Sequence, residues 1–210
     1  MSQQQRSEFE EEPWVPRTLL GTKVSAGEIT SLEEIFERGM KIKESEIVKT
    51  LIPDIKNQVI SVGIVQKQTD AGELTRFKAL VAVGNENGWF GLGSGKAKMM
   101  RIAIEKATSD ALLNIIPVML GCGSWECRCS QNHSVPYKIN GAGGSVRVQI
   151  IPGPRGLSVV AGGTVRTLLS LAGVKDAWTR TDGSTSTKPS VSQAVYDALK
   201  KIHGLSKIPK

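Results

Sequence analysis

Three cysteines and a histidine crowd into twelve residues as Cys122, Cys127, Cys129 and His133, a C-x4-C-x-C-x3-H pattern. Three thiolates and an imidazole are the soft donor set of a closed, tetrahedral structural zinc site. One residue between Cys127 and Cys129 is tighter than the roughly two to four that usually separate paired zinc cysteines, and on an extended chain the two side chains point to opposite sides. Two readings stand: structural zinc, or reduced thiols packed in a link. Three cysteines cannot form an even framework of disulfides, and they suit a reducing compartment. A Cys/His nucleophile would need an orienting Asn or Asp, and the sequence identifies none in that role.

The second string that suggests chemistry is Gly91-Leu92-Gly93-Ser94-Gly95-Lys96. Glycines let backbone amides approach phosphate, but a nucleotide P-loop requires glycine where Phe90 stands and Ser or Thr where Ala97 stands. Nucleotide hydrolysis is therefore disfavoured. As a glycine loop opening a helix, with Lys96, Lys98 and Arg101 near its start, the string predicts a fixed-phosphate cradle. A solvated charged face, with glycines serving only turn geometry, is the plainer alternative. Trp14, Trp89, Trp125 and Trp178, with Phe90, are candidates for stacking on bases, although Trp89 reads as a strand residue and 5% aromatics is sparse for a single-strand platform. Met99 and Met100 read as core packing.

The elements that must carry these residues follow from periodicity. Residues 1–50 read as an acidic tail, an extended arm at Pro13-Trp14-Val15-Pro16, a short helix capped by Ser31 and another starting near Ser45 and ended by Pro53. Residues 51–117 change period. Val59 to Val65 alternates, Asp70-Ala71-Gly72 turns, and Thr75 to Val83 alternates again, with Phe77, Ala79, Val81 and Val83 opposite Arg76, Lys78, Leu80 and Ala82. Trp89 to Leu92 adds a third strand, and Ala97, Met100, Ala103, Ile104, Ala107 and Ala111 make a helical stripe. Residues 118–133 form a Cys/Gly-rich link. Residues 134–210 hold a strand at Ser145–Ile151, a short one near Leu157–Val160, a helix from Gly162-Gly163 to Gly173, a strand at Ala177–Thr181 and a helix capped by Ser190. The predicted fold class is α+β: an αβββα domain, then a second α+β domain of βαβα order. No fixed-period repeat is present.

The charge is uneven. Residues 1–50 carry seven Lys/Arg against ten Asp/Glu, residues 51–117 eight against six, and residues 118–210 twelve against four, which together give +7. With an isoelectric point near 9.4, that skew points to polyanions. No run approaches the roughly 20 apolar residues of a membrane span, and the first twenty residues lack the apolar centre of a signal peptide, which predicts a cytoplasmic protein without a membrane partner.

The αβββα order with a basic helix start resembles a double-stranded-RNA-binding domain, which reads shape and phosphate. Longer strings are more specific. Gln66-Lys67-Gln68-Thr69 through Gly72, Arg76-Phe77-Lys78-Ala79, Val83-Gly84, Asn87-Gly88 and Gly91-Leu92-Gly93 resemble the family of the universal fifth protein of the small ribosomal subunit. The resemblance continues through Ile42-Lys43-Glu44-Ser45-Glu46-Ile47 upstream and, downstream, Gly144-Ser145-Val146-Arg147-Val148, Pro152-Gly153-Pro154-Arg155-Gly156, Val160-Ala161-Gly162, Leu171-Ala172-Gly173-Val174-Lys175-Asp176 and Ala198-Leu199. The Trp14 to Phe36 extension resembles the archaeal and eukaryotic branch, and the cysteine cluster looks archaeal. Gly153 and Leu157 depart from the usual loop wording.

The resemblance implies a structural constituent of the small ribosomal subunit without catalytic residues. It implies binding to rRNA near the decoding centre and mRNA entry path, beside the universal third, fourth and eighth proteins, with influence on translational accuracy. The expected RNA-facing residues are Lys67, Arg76, Lys78, Lys96, Lys98, Arg101, Arg147, Arg155 and Arg180. Arg147 and Pro152, Gly153, Pro154, Arg155 and Gly156 are the expected protein interface. The rival from another class is a cytoplasmic enzyme using the cysteine link or the glycine string.

Overall fold

The computed structural model describes residues 14–127, 129 and 131–206, with backbone alone for 204–206. The expected acidic tail lies outside the described residues. The described chain forms two compact units, one ending at Leu51 and the other beginning at Ile52.

In the first unit, α1 (Leu19–Ser25) is a helix that periodicity does not announce, because Gly21 interrupts a seven-residue segment. The glycine is there for room: a Cβ would sit 3.0 Å from both Glu44 Oε2 and Pro16 Cβ. Thr18 caps it by accepting the N–H of Gly21 at 3.1 Å. Helices α2 (Leu32–Glu37) and α3 (Ser45–Leu51) stand where Ser31 and Ser45 place them. Glu44 fastens the arm, accepting Trp14 Nε1–H at 2.9 Å and Arg17 N–H at 3.0 Å. Partial burial pushes its pKa up, but the hydrogen bonds from Thr18, Arg17 and Trp14 outweigh this and hold it below the ordinary carboxyl value.

The second unit opens with a long hairpin, β1 (Lys56–Thr69) and β2 (Gly72–Gly84), closed by the two-residue turn Asp70-Ala71. The alternation of β2 is as expected. That of β1 breaks at Ile60, where a bulge shifts the register between Val59 and Ser61. Next comes β3 (Trp89–Ala97), which runs five residues beyond the expected strand and absorbs the whole Gly91–Lys96 string. That string is therefore not a phosphate-cradling loop. Its glycines repeat every second residue on the face covered by α4 (Met100–Leu113), and the alanines of α4 repeat every fourth. A Cβ on Gly95 would lie 2.5 Å from Ala103 O, and one on Gly93 would overlap Ala107 O and Ala111 N. The sheet is completed by β4 (Ile115–Pro117), in the order β1-β2-β3-β4.

Its second face is apolar at one end, where Leu80, Ala82, Phe90 and Leu92 join a core continuous with the rest of the unit. A second sheet, β5 (Ile139–Gly143), β6 (Val146–Pro152), β7 (Val159–Val160) and β8 (Ala177–Asp182), has the order β5-β6-β8-β7. Helix α5 (Gly163–Ala172) ends on Gly173 at φ +92°, and α6 (Lys188–Ser206) starts two residues before the expected Ser190 cap. The βαβα run is thus present, preceded by β5, a stretch within residues 134–210 to which sequence reading assigns no element because Ile-Asn-Gly-Ala-Gly has low strand propensity. Its glycines also make room for a helix, since a Cβ on Gly141 would lie 2.7 Å from Ala198 Cβ of α6. Val146, Val148 and Ile150 are buried on the helix-covered face. No helix among the described residues is long and apolar enough to cross a membrane.

Candidate nucleic-acid interface and cysteine cluster

Strand register decides which cations share a surface. Arg76 is opposite Val65, Lys78 is opposite both Gly63 and Lys96, and Lys67 is opposite Leu74. With side chains alternating, Lys67, Arg76, Lys78 and Lys96 all project from the face opposite α4, at the end where that face is not packed. None of the four is in an ion pair with another described residue. Lys67, Arg76 and Lys96 line a shallow depression with Val65 and Leu74. Lys78 and Lys96 are direct cross-strand partners, and like charges in that relation repel, at a cost of roughly 0.2–1 kcal/mol that a bound anion removes. An adjoining hollow runs past Ser61, Gly63 and Lys78 to Lys188 at the start of α6. Lys188 escapes sequence reading because only the tertiary fold brings it to β1.

The other expected contacts lie elsewhere. Lys98 is exposed between β3 and α4, and Arg101 on α4 is paired with Glu105 at 3.1 Å. The Ser94 N–H, one of the supposed cradle amides, is donated to Asp110 Oδ2 at 2.9 Å. Met99 and Met100 are 66% and 51% exposed, so they are not core residues. Arg147 and Arg180 share the uncovered face of the second sheet, where Arg147 is opposite Asp182 and Arg180 Nε lies 3.6 Å from its carboxylate. Arg155 is exposed in the Pro152–Gly156 loop, and Gly153 is buried. The two departures from the family wording meet there, because a Cβ at 153 would fall 2.6 Å from Leu157 Cδ2. Leu157 occupies the space that glycine leaves. Among the aromatics, Phe90 is buried, Trp14 is engaged with Glu44, Trp178 is on the outer sheet face and Trp125 is 90% exposed beside the cysteines.

The cysteine cluster does converge. One ligand atom from each of Cys122, Cys127, Cys129 and His133 lies within 4.8 Å of the others, an arrangement able to hold a metal ion. The sulfurs of Cys127 and Cys129 are 2.9 Å apart, so the expected opposition of their side chains does not occur. Partial burial, with hydrogen bonds to the other two thiols, pushes Cys122 up to about 11. Hydrogen bonds from Cys129, from the backbone N–H of Arg155 and from Cys129's own backbone pull Cys127 down to about 6. Of Cys122 and Cys127, Cys127 is therefore the one that ionises first. Behind His133 stands a residue that spacing could not reveal: Asp176 Oδ2 lies 2.9 Å from His133 Nδ1, and both residues are only 5% exposed. The orienting carboxylate that seemed missing is present, 43 positions away.

Comparison with known sequences follows the same chain. The sequence pattern described as Ribosomal protein S5, N-terminal domain, matches residues 55–119, and that of the Ribosomal protein S5 C-terminal domain matches residues 141–210. The protein named Small ribosomal subunit protein uS5 of Cenarchaeum symbiosum is 62% identical over 196 residues, covering 93% of this chain and 90% of the relative. Its namesakes in Thermofilum pendens and Aeropyrum pernix are 52% and 50% identical, covering 90% and 97% of this chain and 94% and 93% of their own lengths. The chain belongs to the ribosomal protein S5 family, as its motifs suggest. This is a family of ribosomal structural proteins, not of enzymes.

Proposed function

We propose that this chain is a structural, rRNA-binding constituent of the small ribosomal subunit in the cytoplasm, acting by counter-charge and shape rather than by catalysis. The observation that carries the reading is the unpaired set of Lys67, Arg76, Lys78 and Lys96 on one sheet face, in a chain of this family. A two-stranded ribbon carrying four uncompensated cations suits a phosphate backbone. Residues 51–117 serve as the RNA-reading domain, residues 134–210 as the domain that meets neighbouring proteins, and residues 118–133 as the link. The intact chain should co-sediment with small subunits and stay there through moderate salt. Its release by a modest salt increase, or turnover of a substrate by the isolated chain, would overturn the reading.

The finer reading sets the chain near the decoding centre and mRNA entry path, beside the universal third, fourth and eighth proteins. Support comes from the family resemblance, from the exposed Arg147 near the start of β6, and from the Pro152–Gly156 loop at its other end, which carries the exposed Arg155. Arg147 is exposed, and its cross-strand relation to Asp182 is solvent-screened, so Arg147→Ala should leave folding intact, within about 0–1 kcal/mol. An interface that differs between open and closed subunits by even about 1 kcal/mol changes their ratio roughly fivefold. Ribosomes carrying Arg147→Ala should therefore assemble normally and misread at an altered frequency. Unaltered misreading would reassign Arg147 to rRNA phosphate.

A further inference from the structure

We infer that Cys122, Cys127, Cys129 and His133 form a structural zinc site, with Asp176 as the residue that orients its histidine. The ion would join the cysteine-bearing link to the Pro152–Gly156 loop and to the turn preceding β8. This inference stands apart from RNA binding.

The donor atoms are close to the geometry that zinc requires. With zinc–sulfur bonds near 2.3 Å, a tetrahedron has sulfur–sulfur edges of about 3.8 Å. Cys122 and Cys129 sulfurs are 3.6 Å apart, and Cys127 sulfur is 3.7 Å from His133 Nε2. The 2.9 Å Cys127–Cys129 separation must open by under about 1 Å, and any pair near the 4.8 Å limit of the cluster must close by about as much.

The histidine is committed in advance. Its Nδ1 faces the Asp176 carboxylate, so Nε2 is the nitrogen left for the sulfurs, and a carboxylate behind the imidazole is how zinc sites fix tautomer and ring orientation. Asp176 is itself immobilised. Its Oδ1 accepts the N–H of Ser158 at 2.8 Å, and its carbonyl accepts the hydroxyl of Ser134. The His133 carbonyl accepts the N–H groups of Lys175 at 2.9 Å and Asp176 at 3.1 Å. At the base of the loop, Gly121 and Ser134 exchange backbone hydrogen bonds of 2.8 and 2.9 Å, which hold the two ends together.

The Pro152–Gly156 loop is tied in at two points. The N–H of Arg155 donates to the Cys127 sulfur, and that of Gly153 donates to Ser134 Oγ at 3.3 Å. A thiolate that also ligates zinc is a good acceptor for such a bond. Three thiolates and zinc leave one negative charge. Every thiol still protonated when the ion arrives gives its proton to water, so uptake tightens as pH rises.

The test uses the full-length chain purified without chelator. Elemental analysis should find about one zinc per chain, as four ligands in one cluster require. Cobalt(II) loaded in its place should show the intense visible bands of a tetrahedral thiolate site, and added zinc should abolish them. Cys129→Ser should lose the ion. Asp176→Asn keeps all four ligands and should weaken zinc by about 10–100-fold in competition with a chromophoric chelator, while the cobalt spectrum stays tetrahedral. Should Cys129→Ser fail to fold, the parent decides alone: stripping the metal with a strong chelator should lower its thermal midpoint, and zinc should restore it. A folded, metal-free parent that gives only the weak bands of six-coordinate cobalt would overturn the site, as would a Cys127–Cys129 disulfide found by mass spectrometry in place of metal. Zinc bound equally tightly by Asp176→Asn would remove Asp176 from the assignment.

Discussion

Replacing Gly93 with alanine should destabilise residues 52–206 by at least the top of the roughly 1–3 kcal/mol range that overpacking costs. The new methyl would meet Ala107 O and Ala111 N and lie 2.7 Å from Ala111 Cα. All three are helix backbone, which cannot swing aside as the end of a flexible side chain can. Helix α4 would have to lift, and lifting it loosens Ala103, Ala107 and Ala111 together, because all three are buried along one line. For a unit of this size, a loss of about 3 kcal/mol lowers the thermal midpoint by roughly 6–12 °C. The control is Gly63→Ala, also in a strand of the first sheet but with nothing within 4 Å of the added Cβ. It should be neutral or stabilise by about 0.4–1 kcal/mol through a less flexible unfolded chain. Thermal unfolding followed by circular dichroism decides the matter, and equal midpoints for Gly93→Ala and the parent would refute this account of β3.

The same glycines explain where sequence reading succeeds and where it stops. Phe77, Ala79, Val81 and Val83 alternate with Arg76, Lys78, Leu80 and Ala82, so β2 is legible. Val165, Leu168, Leu169 and Ala172 followed by Gly173 delimit α5 in the same way. Gly91, Gly93 and Gly95 are read as punctuation because local preference assigns glycine to turns. In the fold they are the space a helix needs, and that information lies in Ala103, Ala107 and Ala111, not in the string itself. Gly141 and Gly143 hide β5 for the same reason, their counterparts being Ser190, Ala194 and Ala198 on α6. The candidate zinc site divides similarly. Its four ligands are legible as a cluster of donor types, whereas Asp176 is an ordinary acidic residue until folding buries it against His133. Of the expected cations, Arg76 and Lys78 are grouped by period alone, whereas Lys67 and Lys96 join them only through strand register, and the pairing of Arg101 with Glu105 depends on helix geometry and takes that arginine out of the unpaired set.

The basic sheet face yields the larger functional prediction. If each of Lys67, Arg76, Lys78 and Lys96 neutralises one phosphate, replacing all four with alanine should flatten the slope of log affinity against log salt by about 0.7–0.9 per contact, close to 3 in total. The counterions no longer released would cost on the order of 100–1000-fold in rRNA affinity near 0.15 M salt. The pair Lys98→Ala and Arg101→Ala should change the slope by about one contact or less, because Arg101 already has a carboxylate partner and competes with itself for phosphate. Stability should move the other way. Arg76 and Lys96 are exposed, and removing the Lys78–Lys96 opposition relieves a cross-strand repulsion of roughly 0.2–1 kcal/mol, so the fourfold variant should melt at or slightly above the parent's temperature. Loss of binding in a protein of undiminished stability is a result that misfolding cannot produce. Titration with small-subunit rRNA at several salt concentrations reads the slope directly. A fourfold variant with the parental slope, beside a Lys98/Arg101 double variant whose slope is flattened, would move the interface from the sheet face to the start of α4.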